Sequence, residues 1–256
     1  MKKGLILLLT FLLVFSMAGC ATKSTDTLKV GTSADFPPFE NIEVVDGKEE
    51  IVGFDVDLMK EIAKELNIQV EFENITFNGL VDSVKTNKID IAISGMNPDP
   101  DRLEKVNFSD PYYYASQTIL VKSDTENIEE IEQLIGKTIG SQLGSTSDDA
   151  ISEYEAEGVE VKKYDLVTDA VQDLKNGRIY GVVVEDAIAG ELVNRNEGIK
   201  MVVPEEFKVD SEPFGIVVSK ENNELLEKIN KALKSIIDSG KYDELLKKHE
   251  LANTLE

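Results

Sequence analysis

The chain has 256 residues, with 27 Lys and Arg against 49 Asp and Glu, a formal net charge of −22, one histidine and one cysteine. So acidic a chain repels nucleic acid and anionic lipid headgroups, and a lone cysteine leaves no internal disulfide. Roughly 230 residues beyond the N-terminal segment are ample for one or two compact lobes held by apolar cores alone.

Residues 1 to 20 place Lys2 and Lys3 before an apolar run from Leu5 to Val14, then Ala18-Gly19 before Cys20. This is a secretory signal, too short in its apolar part to span a bilayer. Loss of residues 1–19 removes two lysines and no acids, which takes the formal charge from −22 to −24. Residues Ala21 to Thr27 are small and polar and are expected to form a tether.

From Leu28 the chain alternates strand and helix patterns. Leu28 to Thr32 reads as a strand and Gly53 to Asn67 as an amphipathic helix with Leu58, Ile62 and Leu66 on one face. Ile68 to Phe72 is the next strand, Gly79 to Asn87 the next helix, and Ile89 to Ile93 a buried strand. This βαβαβ order predicts a parallel sheet with helices on its faces. The last strand breaks into Ser94-Gly95-Met96-Asn97-Pro98-Asp99-Pro100-Asp101-Arg102. Gly95 permits close backbone approach, the prolines stop the ladder, and Asp101 with Glu104 predicts a capped helix starting at Arg102. A guanidinium beside free backbone groups suits a small carboxylate.

The segment Val84 to Ile93 lines up with Leu174 to Val183, ninety residues on, each a helix end, a turn, a basic residue and a strand. Two α/β units are expected, with chance similarity of common junctions the alternative. Ser94 to Asn97 and Val184 to Ala187 would then be matching strand ends facing one cleft. Asp186 follows the apolar strand Ile179 to Glu185. It reads either as the N-cap of a helix from Ala187 to Asn194 or as the partner of a ligand ammonium opposite Arg102. A third segment, Gly136 to Asp148, ends a strand near Gln142 and leads through Gly144, Ser145 and Thr146 into a helix expected from Asp148 to Ala156. It lacks the lysine of a phosphate-binding P-loop.

The chain resembles the extracytoplasmic solute-binding proteins of polar amino acid ABC importers, family 3. The motifs that carry the resemblance are Gly31 to Glu40, Val52 to Leu58, Ser94-Gly95-Met96 through Arg102, Phe108 to Tyr113, Gly140 to Thr146, the strand reaching Asp186, and Ser239 to Tyr242. They cover Leu28 to His249. The resemblance implies an α/β, two-lobed type II periplasmic-binding fold with the ligand in the cleft. One lobe would comprise 28–113 and 219–256 and the other 118–210, joined by crossovers at 114–117 and 211–218. It implies that Arg102 holds an α-carboxylate with the backbone of Asn97 and with Thr146. Asp186 would hold the α-ammonium with Ser94 and Gly95, and Phe36 and Phe77 would wall the side chain, with Met96 lining the same segment and Phe39 supporting the first loop. The small residues before Cys20 resemble a lipobox, which implies lipidation of Cys20 and a membrane anchor, with Met17 in place of the usual Leu; an ordinary cleaved signal is the alternative.

For side-chain choice, Ser33 stands where relatives that take basic amino acids often carry Asp. Gln142, Ser147 and Asn97 offer neutral hydrogen bonds, so glutamine or cystine is favoured slightly over a basic ligand. The expected partners are a free amino acid and a permease and ATPase complex, with the chain a monomer, no cofactor, no metal and no nucleic acid. An enzyme on this scaffold, a cyclohexadienyl dehydratase, would need a placed general acid or base. The one histidine, His249, is expected at the surface of a terminal helix from Lys241 to Glu250. A sensor domain would carry a membrane helix and a signalling module after the fold, whereas only Leu251 to Glu256 follow that helix. A stand-alone receptor is therefore expected.

Overall fold

The computed structural model describes residues 27–208 and 211–255, so the signal, Cys20 and the tether as far as residue 26 lie outside the described residues. Thr27, expected in the tether, opens strand β1 (Thr27–Thr32) and pairs with Gln69. A small antiparallel sheet follows, β2 (Asp35–Phe36), β3 (Glu40–Val45) and β4 (Lys48–Val52). Helix α1 (Phe54–Leu66) buries Leu58 and Ile62, four residues apart, and stops at Asn67, whose φ of 54° is the left-handed turn that asparagine tolerates. Strand β5 (Gln69–Asn74), helix α2 (Phe77–Lys85) and strand β6 (Ile91–Ala92) complete the first βαβαβ, with β1 between β5 and β6 and parallel to both.

Helix α3 (Pro100–Leu103) begins two residues before the expected start. Its cap is Asp99, which accepts from the Arg102 amide at 3.0 Å, and not Asp101. Pro100 explains the shift, because its fixed φ and missing N–H suit the first helical position. Strands β7 (Val106–Phe108) and β8 (Tyr113–Ala115) follow.

The second unit runs β9 (Gln117–Lys122), β10 (Thr138–Gln142), α4 (Thr146–Ser152), β11 (Glu160–Tyr164), α5 (Val167–Lys175), β12 (Gly181–Glu185), α6 (Asp186–Arg195) and β13 (Ile199–Val202). Strand β14 (Glu212–Phe214) pairs antiparallel with β8, so the two crossing strands form their own ribbon between the main sheets. Strand β15 (Val217–Ser219) then inserts between β6 and β7, so Val217 and Val218, expected in the crossover, belong to the first sheet. Helices α7 (Asn223–Asp238) and α8 (Lys241–Lys248) pack on α1.

The two sheets have the same plan, β5-β1-β6-β15-β7 and β11-β10-β12-β9-β13, each with three parallel strands and an antiparallel pair. The ninety-residue repeat is therefore structural. Ile91 pairs with Val30 in one sheet, as Gly181 pairs with Ile139 in the other. Both preceding turns use a left-handed residue, Asn87 at φ 55° and Gly177 at φ 69°. His249 departs from expectation: it is half-buried, its Nε2 lies 2.7 Å from Asp57 Oδ2, and its ring stands edge-on to Phe54.

Gly53 joins the small sheet to α1 at a φ of 137°, with Phe54 and Asp55 amides donating to Pro38 and Phe39 carbonyls at 3.0 Å. A Cβ there would lie 2.1 Å from the Phe39 carbonyl oxygen. Gly53→Ala is expected to cost about 3 kcal/mol or more, a fall in Tm of roughly 6–12 °C by calorimetry.

Candidate functional site

The strand ends of the two units meet across a seam, and the first unit contributes the segment after β6. Arg102 is 7 % exposed. Its Nη1 donates to the Asn97 carbonyl at 2.7 Å, its Nε lies 2.6 Å from Asp99 Oδ2, and its Nη2 donates to the Gly144 carbonyl of the second unit at 2.8 Å. Three of the five guanidinium N–H groups are thus engaged, which leaves one on each terminal nitrogen. The Phe77 ring lies 5.3 Å from the guanidinium carbon, a cation–π distance. Met96 is buried in the first-lobe core and lines the same hollow as this arginine, and its carbonyl accepts from Gly215.

Gly95 holds a φ of 50°, and a Cβ on it would come within 2.9 Å of the Phe36 ring, so the backbone and that ring are in close contact. Its amide donates to Asp55 at 3.0 Å. Ser94 accepts from the Ser33 amide at 3.0 Å and donates its only proton to Glu40 at 2.6 Å, which ties the loop after β1 to the end of β6. Glu40 and Asp55 are fully buried, and burial followed by the charge of Asp55 pushes Glu40 well above the usual carboxylate range. Among the described residues Glu40 Oε2 and Asp55 Oδ1 receive no hydrogen bond, and the two carboxyls act on each other electrostatically. Glu40, near the first loop, is thus engaged by Ser94 of its own lobe. Phe39 is core, edge-on to Phe54, Tyr113 and Phe214.

The second unit contributes the turn after β10. Gly144 has a φ of 75°, and its amide donates to Asp148 at 3.1 Å. Asp148 also accepts from Ser141 at 2.9 Å and pairs with Lys163 at 3.1 Å, so a buried carboxylate fixes the turn whose carbonyl meets Arg102. Ser145, not a later residue, caps α4 by accepting from the Asp148 amide at 3.0 Å. Thr146 crosses the seam and donates to Asn97 Oδ1 at 3.0 Å. Gln142 Nε2 lies 3.5 Å from Asp35 Oδ1, another contact between units. Ser33 donates to Asp35 Oδ1 at 3.0 Å.

Asp186 does not join this group. It is exposed, and Oδ1 accepts from the Ala187 amide at 2.8 Å and the Ser116 amide at 3.3 Å. It lines a separate hollow with Tyr113 and Thr254, one that does not include Arg102. The acid inside is Glu185, the last residue of β12 and 4 % exposed, held near Gln117 and Ser147 and within electrostatic reach of Arg102. Burial pushes its carboxyl up to about 7, partly offset by the hydrogen bonds it accepts. Sequence reasoning passed over Glu185 because Asp186 suited the helix start. The signal was strand alternation, which directs Glu185 with Val183 and away from Val184.

Asp35 is the other acid in the seam. Its Oδ2 accepts from the Val167 amide at 2.6 Å, at the start of α5. Burial raises its carboxyl to about 6, with the Val167, Ser33 and Gln142 hydrogen bonds opposing. One buried guanidinium and two buried carboxyls thus converge on a boundary between lobes, an arrangement able to take a small molecule bearing both signs of charge.

Two α/β lobes of one plan, joined by paired crossing strands, with charged strand ends facing each other, define a two-lobed binding protein of the type II periplasmic fold. The family model for bacterial extracellular solute-binding proteins, family 3, matches residues 28–252. The chain is 34 % identical over 255 residues to the arginine-binding extracellular protein ArtP of Bacillus subtilis, across 97 % of this chain and 98 % of that one. It is 37 % identical over 226 residues to ABC transporter arginine-binding protein 1 of Escherichia coli, across 87 % and 90 %. A solved ancestral arginine-binding protein bound to arginine superposes with a TM-score of 0.82 at 44 % identity, covering 88 % of this chain and 99 % of that one. The chain belongs to the bacterial extracellular solute-binding proteins, family 3.

The raised carboxyl of Glu185 has a sign for stability. The folded chain binds its proton more tightly than the unfolded chain, whose value is near 4.5, so stability is lost as pH climbs from there to about 7. Glu185→Gln is expected to raise the Tm of ligand-free protein at pH 8 and leave it unchanged at pH 4. Thermal melts across that range check both.

Proposed function

We propose that the chain is an extracytoplasmic receptor that binds a basic amino acid, arginine before others, between its lobes and delivers it to an ABC importer permease and ATPase. The observation that carries the amino acid reading is the buried guanidinium of Arg102, with one free N–H on each terminal nitrogen, across the seam from buried Glu185. A bidentate fork suits an α-carboxylate, and an ionised Glu185 suits an α-ammonium. Thr146 and the Asn97 segment complete the carboxylate end. The side chain would lie between Phe36 and Phe77 toward Ser33 and Gln142, with Ser94, Gly95 and Met96 shaping the floor. Asp186 gives up the ammonium role to Glu185.

Arginine takes precedence over the neutral ligands favoured from Ser33 because the relatives above are named for arginine, and because the seam holds Asp35, which Ser33 bonds. A ligand that touches both lobes stabilises the closed form, and the closed form is what a permease would select. Lipidation of Cys20 would keep the receptor at the membrane surface. Cys20→Ser is expected to move the protein from the membrane fraction to the medium or periplasm.

A thermal-shift screen against the twenty amino acids, citrulline, cystine and ornithine tests the ligand class. At 1,000 times its Kd a ligand adds about 4 kcal/mol of apparent stability. Arginine is expected to give the largest shift, and no shift from any amino acid would refute the reading. In titration calorimetry, Arg102→Ala and Glu185→Gln should each weaken binding by about two to four decades, the cost of about 3–5 kcal/mol for stranding a buried charge. Asp186→Asn should bind like wild type.

A further inference from the structure

We propose that Asp35 is the residue with which the cleft reads the charge of the ligand's side chain, while it also joins the two lobes. This rests on the amino acid reading above. Asp35 is 5 % exposed, yet every donor on its carboxylate is uncharged: the Val167 amide at 2.6 Å, the Ser33 hydroxyl at 3.0 Å and the Gln142 amide at 3.5 Å. Another acid, Asp169, acts on it from α5. A buried carboxylate without a cation is electrostatically incomplete, and burying a charge is costly until it is paired. Its Oδ2, which takes one hydrogen bond, retains acceptor capacity.

Its place in the cleft supports the same role. Asp35 and Arg102 contact the second lobe at Gln142 and Gly144, two residues apart on one turn. Phe77 covers Arg102, and the Phe36 ring lies against Gly95 in the segment that leads to that arginine. A ligand with its α-carboxylate on Arg102 would bring a cationic side-chain tip to Asp35. A neutral tip would leave the acid uncompensated, and an acidic tip would be repelled.

The test is calorimetry with L-arginine and L-citrulline, near-isosteres that differ in charge, on the wild type and on Asp35→Asn. Asn keeps an oxygen for the Val167 amide, and circular dichroism verifies the fold. The wild type is expected to prefer arginine by about a hundredfold, and Asp35→Asn to lose about a hundredfold for arginine while citrulline stays within about threefold. Equal losses for both ligands would make Asp35 a lobe clasp alone and overturn the proposal. An unchanged arginine-to-citrulline ratio would put charge reading elsewhere and overturn it as well. Wild type that binds neither ligand would fail before any variant is made; it would count against the arginine reading itself, and the proposal would fall with it.

Discussion

A guanidinium removed from water has to find its acceptors in the protein, and Arg102 finds them on both sides of the seam. Asn97 and Asp99 belong to its own lobe, whereas Gly144 belongs to the other. The surrounding structure answers that requirement. Pro100 and Asp99 set the short helix that carries the arginine, and Asp148 turns the Gly144 loop so that its carbonyl points at Nη2. Thr146 meets Asn97 alongside. Loss of any of these would strand polar groups in a place water reaches poorly, which is why the polar groups of the seam are paired with one another.

The buried acids divide into two kinds. Glu40 accepts from Ser94 and Asp55 accepts from Gly95 and Tyr112, and so they pin the first-lobe loops to one another. Glu185 and Asp35 face the opposite lobe and have only neutral donors. The first pair takes its donors from within its own lobe. The second two lie at the boundary between the lobes.

Much of the fold was legible from periodicity and punctuation. The α1 stripe, the parallel strand order and the ninety-residue repeat all rest on local patterns, and each survives in the sheet registers. The place of Arg102 at a strand end was legible too, because the prolines before it stop the ladder. Misplacements came where two nearby residues competed. Asp99 and Asp101 both suit a cap, and the proline between them decides. Glu185 and Asp186 both end an apolar strand, and the pleat decides. His249 read as a surface residue because its partners, Asp57 and Phe54, lie far back in the chain.

Local order, the doubling of the α/β unit, family membership and the arginine set just past a strand end are carried by residues near one another in the chain, where backbone sterics and hydrophobic period act directly. Which acid faces that arginine, and that Asp35 caps a helix 132 residues away, depend on how two lobes are set against each other. Those contacts form only once both cores exist, and a charge excluded from water responds to what is near in space and not to what is near in sequence.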